Sequence, residues 1–359
     1  MRFLLLFLFF LTSSAPAQIR LIPQAPVVQP ERGEFSIRPG LRIWSSAACT
    51  SERNILQTYW QQADLPALTS AAKARQADIL LTVDTARREA LGPEGYELHI
   101  SARRITLTGG SSAGVFYGLQ TLRQVLPATG NRQIPALLVR DKPRFGWRSF
   151  TLDEQTYRAG TEPLKTLLDQ LARYKFNRFH LLINPDTSPA GPTGGTYSPA
   201  QLQELVRYAQ ERHILAVVEQ VKRVETSTAE TSRVYQPATG SPVRFWQGSA
   251  KGLVDAARTG QRLVNASRAD TELSQPLSTL SVERVYRFDP IPDQMPEELQ
   301  PLILGVDYRY IHPGPSNNPF EALRPRLAAA AEVAWTFLQA KDWGLFRQAL
   351  PRLSAPQRP

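Results

Sequence analysis

Four residues combine side-chain type and placement in a way that suits chemistry: Arg148, Asp153, Glu219 and Trp246. Each lies in or at the end of a short apolar run that reads as a β-strand, over residues 148–153, 214–221 and 243–246. Amphipathic helical stretches at 163–174 and 198–213 separate the first of these runs, with Leu164, Leu167, Leu168 and Leu171 sharing one side of the first helix. Alternating strands and helices imply a parallel sheet. In (β/α) folds the C-terminal strand ends open on one side, and the chemistry sits there. An arginine, two carboxylates and an indole gathered at such a mouth suit a sugar: hydrogen bonds reach hydroxyls, and the indole stacks on an apolar ring face. Each residue also has a structural alternative. Arg148 can pair with Asp153 or Glu219, Glu219 can face the mouth or a neighbouring arginine, and Trp246 can belong to the core.

The elements that must position these residues fall into two groups. Residues 18–140 read as a small α+β domain, with strands expected at 35–37, 41–44, 77–83, 95–102 and 105–108 and helices at 52–62 and 113–125. The second helix places Val115, Phe116, Leu119, Leu122 and Val125 at helical spacing. Asp141-Lys142-Pro143 marks the boundary. Residues 143–359 then form a (β/α) region with strands expected at 148–153, 178–184, 214–221, 243–246, 261–266 and 303–308, and closing helices at 322–335 and 342–350. That is about six strands where a closed TIM-type barrel has eight. The fold expected is therefore α/β, an incomplete (β/α) barrel preceded by a small α+β domain. A polar stretch, 222–241, stands where a further strand is due. The barrel is expected to be open or filled by that stretch, with the strand at 243–246 near the one at 214–221.

Composition narrows the function classes. The chain has 359 residues, 42% of them hydrophobic, and a formal net charge of +10. Its basic residues are scattered, which reads as a solvated surface and not as a nucleic-acid footprint. Residues 1–17 read as an export signal: Arg2, an apolar run over 3–11, then Ala15-Pro16-Ala17. The protein is accordingly expected to be exported, periplasmic or secreted. The apolar run is too short to span a bilayer, so no stable membrane insertion is expected. A single cysteine, Cys49, excludes an intrachain disulfide. The four histidines, His99, His180, His213 and His312, lack metal-ligand spacing, and no cofactor is implied.

Several segments together resemble bacterial glycoside hydrolase family 20, the β-N-acetylhexosaminidases. They are "LIPQAPVVQPERGEF" (21–35), "EGYELHISARRITLTGGSSAGVFYGLQTLRQVL" (94–126), "DKPRFGWRSFTLDEQTYR" (141–158), "LARYKFNRFHLLINPD" (171–186) and "YSPAQLQELVRYAQERHILAVVEQV" (197–221). The resemblance implies terminal N-acetylhexosamine in glycans as substrate and a substrate-assisted mechanism. In that mechanism an Asp orients the acetamido group while an adjacent Glu with a raised pKa protonates the leaving oxygen. The family carries that pair in a Gly-Gly-Asp-Glu run. The sequence holds no such run, so no catalytic pair is identified and hydrolysis is expected to be weak or nil. By resemblance, Arg148 and Asp153 match the first-strand motif, and Glu219 matches the glutamate that closes the third strand. Trp246 matches a sugar-stacking tryptophan. His180 matches the first histidine of the second-strand motif, although a structural role is also open to it. Asp186 takes the place of an acidic pair in the following loop. An exported carbohydrate-binding or scaffold pseudoenzyme is the alternative function.

Overall fold

The computed structural model describes residues 19–126, 131–154, 160–183, 197–220, 242–245, 249–311 and 320–354. Seven strands build the first sheet: β1 (Val27–Ser36), β2 (Arg42–Ser45), β3 (Thr69–Ser70), β4 (Ile79–Val83), β5 (Tyr96–Ile100), β6 (Ile105–Gly109) and β7 (Gln133–Asp141), in the order β1-β7-β5-β6-β4-β2-β3. Strict alternation in β5 and β6 buries Tyr96, Leu98, Ile100, Ile105 and Leu107. The helix Ser112–Val125 packs on this sheet and contributes Val115, Phe116, Leu119 and Leu122 to the same core. Contact is close at Gly118, where an added Cβ would lie 2.3 Å from Leu107 Cδ1 and 3.0 Å from Tyr96 Cδ2, so a larger residue there would require those side chains to shift.

Six parallel strands form the second sheet, a half-barrel: β8 (Trp147–Glu154), β9 (Arg178–Ile183), β10 (Leu215–Gln220), β11 (Val243–Phe245), β12 (Leu263–Asn265) and β13 (Ile303–Ile311). Their order is β10-β9-β8-β13-β12-β11. The first and last strands of this region are thus neighbours at its centre, as in a barrel, and β10 and β11 form the two edges. The strand expected at 243–246 near the one at 214–221 reaches it through side chains: Arg244 and Glu219 meet, although no ladder joins β10 to β11 among the described residues. Residues 222–241, the alternative filling of an otherwise open barrel, lie outside the described residues.

Local sequence explains the supports. Helix Thr161–Arg173 buries Leu164, Leu167, Leu168 and Leu171 in the core shared with Phe150 and Leu152 of β8. Helix Pro199–Gln210 starts at a capping box in which Ser198 and Gln201 satisfy each other's backbone N–H groups.

The α+β domain and the half-barrel are joined by buried charge. Arg148 donates from Nη1 and Nη2 to Glu94 at 2.7 and 2.9 Å. Lys175 donates to Asp141 Oδ2 at 2.8 Å, and Trp335 Nε1 donates to Asp141 Oδ1 at 2.9 Å.

Candidate functional site

The pleat of β8 decides what faces the barrel interior. Side chains alternate along a strand, so Trp147, Ser149, Thr151 and Asp153 share one face while Arg148, Phe150, Leu152 and Glu154 share the other. Hydrogen bonding identifies the inner face. Ser149 Oγ donates to Asp307 Oδ1 at 2.6 Å, and Thr151 Oγ1 donates to Asp307 Oδ2 at 2.8 Å, across the β8–β13 pairing. Arg309, two residues after Asp307 and therefore on the same face, pairs with Asp153.

Arg148 lies on the outer face, which corrects its assignment to the mouth. It is fully buried and bonded to Glu94, to the carbonyl of Phe145 at 2.7 Å and to the carbonyl of Lys175 at 2.8 Å. Its guanidinium also lies over the rings of Trp335 and Tyr117. Arg148 is a structural ion-paired residue, and its partner is Glu94, neither Asp153 nor Glu219. Burial penalises the cation, and the Glu94 charge outweighs that, leaving the Arg148 pKa raised.

Glu219 and His180 do come together inside the half-barrel, and Asp153 shares that face, where it pairs with Arg309. Glu219 closes β10 and is 9% exposed. Its Oε1 accepts from His180 Nδ1 at 2.7 Å, and Arg244 Nη2 donates to both carboxylate oxygens at 2.9 and 3.0 Å. The neighbour-arginine alternative for Glu219 is therefore realised, with Arg244 as that neighbour. Arg244 Nη1 also lies 3.9 Å from Asp307 Oδ2, which links the two carboxylates through one guanidinium. His180 is 6% exposed, and its Nε2 is buried without a hydrogen-bond partner among the described residues. Trp147 stacks near the imidazole, with ring centroids 6.3 Å apart at 15°.

These contacts set the electrostatics. Burial raises the Glu219 carboxyl pKa, but the His180 hydrogen bond and the Arg244 charge overcome that, and the net shift is downward. Glu219 is thus held as a carboxylate, an acceptor and not a proton donor at neutral pH. Asp307 is fully buried beneath two hydroxyl donors. As a whole the interior is an alternation of acids and arginines whose charges are matched locally. Trp246 and Asp186 lie outside the described residues. Among the described residues no cluster of three or more His, Cys, Asp or Glu is arranged to hold a metal ion, and no helix is long and apolar enough to cross a membrane.

Four members of this cluster were not singled out from sequence: Thr151, Arg244, Asp307 and Arg309. A signal for three of them is visible in retrospect. Thr151 stands an even number of positions from Asp153, and "GVDYRYI" places Asp307 and Arg309 two apart, which puts both on one face of a strand.

Comparison with known proteins agrees with this architecture. The family described as "Glycosyl hydrolase family 20, domain 2" matches residues 18–142. A β-hexosaminidase of Porphyromonas gingivalis is 32% identical over 170 residues, covering 39% of this chain and 22% of that protein. A β-N-acetylhexosaminidase of Cellulomonas fimi is 34% identical over 149 residues, covering 36% of this chain and 30% of its own length. The chain thus spans less than a third of either relative. Among solved structures, a mutant β-hexosaminidase of Streptomyces plicatus in complex with its product GlcNAc superposes with a TM-score of 0.80 at 21% identity, over 94% of this chain and 95% of that one. The β-N-acetylhexosaminidase of Streptomyces coelicolor gives 0.78 at 20% identity, over 95% and 98%. At that identity the superpositions establish the fold.

Proposed function

We infer that this chain, which belongs to glycoside hydrolase family 20, acts as a recognition scaffold for glycans bearing terminal N-acetylhexosamine and hydrolyses them weakly or not at all. The curated relatives are named for hexosaminidase activity, and the substrate class follows from them. The state of Glu219 carries the loss of activity. A general acid for glycoside cleavage needs a pKa raised toward neutrality and a path to the leaving oxygen. Glu219 has a lowered pKa and both carboxylate oxygens engaged. Asp153 is tied to Arg309, and Asp307 lies fully buried beneath Ser149 and Thr151. Protonating any of these carboxyls would break a buried, charge-assisted contact. The consecutive Asp-Glu pair of the family's mechanism follows two glycines, whereas the Asp-Glu pair of this sequence, Asp153-Glu154, follows Thr151-Leu152 on the first strand of the half-barrel.

Recognition draws on different groups. His180 Nε2 offers one hydrogen-bonding atom with no partner among the described residues, beside the indole of Trp147. Residues 1–17 are proposed to direct export, which would bring the protein to extracellular or periplasmic glycans.

The test is a pair of measurements on purified protein. Release of nitrophenol from p-nitrophenyl N-acetyl-β-glucosaminide is expected to match the enzyme-free rate. N-Acetylglucosamine is expected to shift the imidazole resonances of His180 in an NMR titration, and His180→Phe to remove that response. Turnover in the ordinary enzymatic range of about 1–10³ s⁻¹ would refute the loss of catalysis. Unchanged spectra at saturating sugar would refute recognition.

A further inference from the structure

A cavity of about 730 Å³ opens beneath the N-terminal ends of the parallel strands, opposite to the end where (β/α) folds carry their chemistry. Its walls include Trp147 at the start of β8, Arg178 at the start of β9, Arg262 immediately before β12 and Ile303 at the start of β13, together with Arg144 and Glu297. Its size falls within the roughly 300–1,000 Å³ of small-molecule pockets.

Charge in this cavity is one-sided. Three guanidinium groups line it against one carboxylate, that of Glu297. Arg144 Nη2 donates to both oxygens of Asp289 at 2.9 and 3.1 Å, while its Nη1 is buried without a partner among the described residues. Arg178 makes no direct ion pair among the described residues, although the charge of Glu94 reaches it. Its guanidinium lies 3.9 Å from the centroid of the Trp147 ring, and its Nε is likewise buried and unpartnered. The Arg262 side chain is exposed and makes no hydrogen bond or ion pair among the described residues. The cation of Arg178 is disfavoured where it sits: burial lowers its pKa, and the charge of Arg148 lowers it further. Stacking on Trp147 nevertheless fixes its plane, so little rotamer entropy is left to lose when a ligand arrives.

We propose that this cavity binds an anionic small molecule, a carboxylate or a sulfate- or phosphate-type oxyanion, through Arg144, Arg178 and Arg262. An anion in the cavity would meet the guanidinium groups that line it and balance the excess charge. Carboxylates and tetrahedral oxyanions fit the fork of a guanidinium, and Ile303, Leu304 and Pro301 leave an apolar wall for the body of the ligand. The site meets the Glu219 cluster at Trp147, which lies beside both Arg178 and His180, and it does not depend on whether the chain hydrolyses sugars.

Isothermal titration at low ionic strength, where such contacts are least screened, decides the matter. The probes are sodium glucuronate, inorganic sulfate, inorganic phosphate and, as a neutral control, glucose. At least one anion is expected to bind with a dissociation constant of about 1 mM or tighter, and glucose is not. The anion that binds best identifies the group the site prefers. Arg262→Gln, at an exposed side chain with no partner to lose, is expected to weaken binding about tenfold, as is Arg178→Gln. Lys251→Gln, at an exposed side chain outside the cavity lining, is expected to leave it unchanged. Equal binding of glucose, full affinity in Arg262→Gln, or no heat from any of the three anions would overturn the proposal.

Discussion

Lys175→Met is expected to destabilise the folded chain by about 3–5 kcal/mol, the range for breaking a buried ion pair from one side. The side chains of Lys175 and Asp141 are both fully inaccessible. Lys175 Nζ donates to Asp141 Oδ2 at 2.8 Å and to the Tyr96 hydroxyl at 2.9 Å, and Tyr96 passes its own proton to Asp141 Oδ2 at 2.7 Å. The second oxygen of Asp141 accepts from Trp335 Nε1. One carboxylate thus ties β5, β7, the half-barrel and the helix Arg324–Trp335 together. Methionine retains the aliphatic stem of lysine and removes the charge, so Asp141 would stay buried beside hydrogen-bond donors without a counter-ion. The backbone points to the same importance. Lys175 has φ +62, a left-handed conformation that glycine adopts at less cost. The ammonium at this position completes the network. The measurement is the urea midpoint and slope for the protein, Lys175→Met, and Lys175→Met combined with Asp141→Asn. The double variant is expected to recover a large part of the loss, since it leaves no unpaired charge. A loss below about 1 kcal/mol in the single variant would mean that Asp141 is neutralised in some other way.

Much of the fold was legible because periodicity is a local property. The β5 and β6 alternation, the leucine stripe of helix Thr161–Arg173, and the count of six strands in the second domain all follow from residues close in sequence. β7 was missed although it lies inside the first sheet between β1 and β5. Pro135 weakens a strand reading of 133–141 because proline cannot donate to a ladder. The structure places it opposite Glu34, next to the register shift in β1, where regular pairing is already interrupted.

Site residues were harder, for two reasons of different kind. Arg148 and Asp153 were grouped although they are five positions apart on one strand. An odd separation puts two side chains on opposite faces, so the pair was separable from sequence by parity alone. The contact between Glu219 and Arg244 was not accessible in that way. It joins the two edges of an open sheet, and it depends on the closing curvature of six strands. Charge type suggested that Glu219 would find an arginine, but only the three-dimensional arrangement selects Arg244 over the many other arginines of this basic chain.

Glu332→Gln is expected to raise stability by about 1 kcal/mol at pH 5 and by about 3 kcal/mol at pH 7.5, for a shift of this size. Glu332 is fully buried in helix Arg324–Trp335, and its pKa is pushed up from 4.5 to about 7. Burial causes the rise. The Thr336 hydroxyl, the Gln24 N–H and the charge of Lys341 oppose it, and nearby Asp141 adds to it. The folded state therefore holds this proton more tightly than the unfolded chain does. The stabilisation is complete below about pH 4.5, the unfolded value, and is lost as pH rises through about 7, the folded one. Hydrogen bonding fits a protonated carboxyl. Oε1 accepts from the Gln24 N–H at 3.0 Å, while Thr336 Oγ1 lies 2.8 Å from Oε2 and 3.1 Å from the Gln24 carbonyl. One hydroxyl proton cannot serve both acceptors. If Thr336 donates to Gln24, the proton on Oε2 donates to Thr336. Glutamine reproduces that pattern at every pH, with its carbonyl facing Gln24 and its amide facing Thr336. Lys341 is held down at about 8 by burial, while the Glu332 charge raises it, so its titration moves down in the variant and enters the difference at the upper end of the window. Paired thermal or urea unfolding of the two proteins from pH 5 to 7.5 reads that difference directly. A difference that stays flat across the window would mean that Glu332 remains ionised in the fold, and that the attachment of Gln24 to this helix rests on a buried carboxylate.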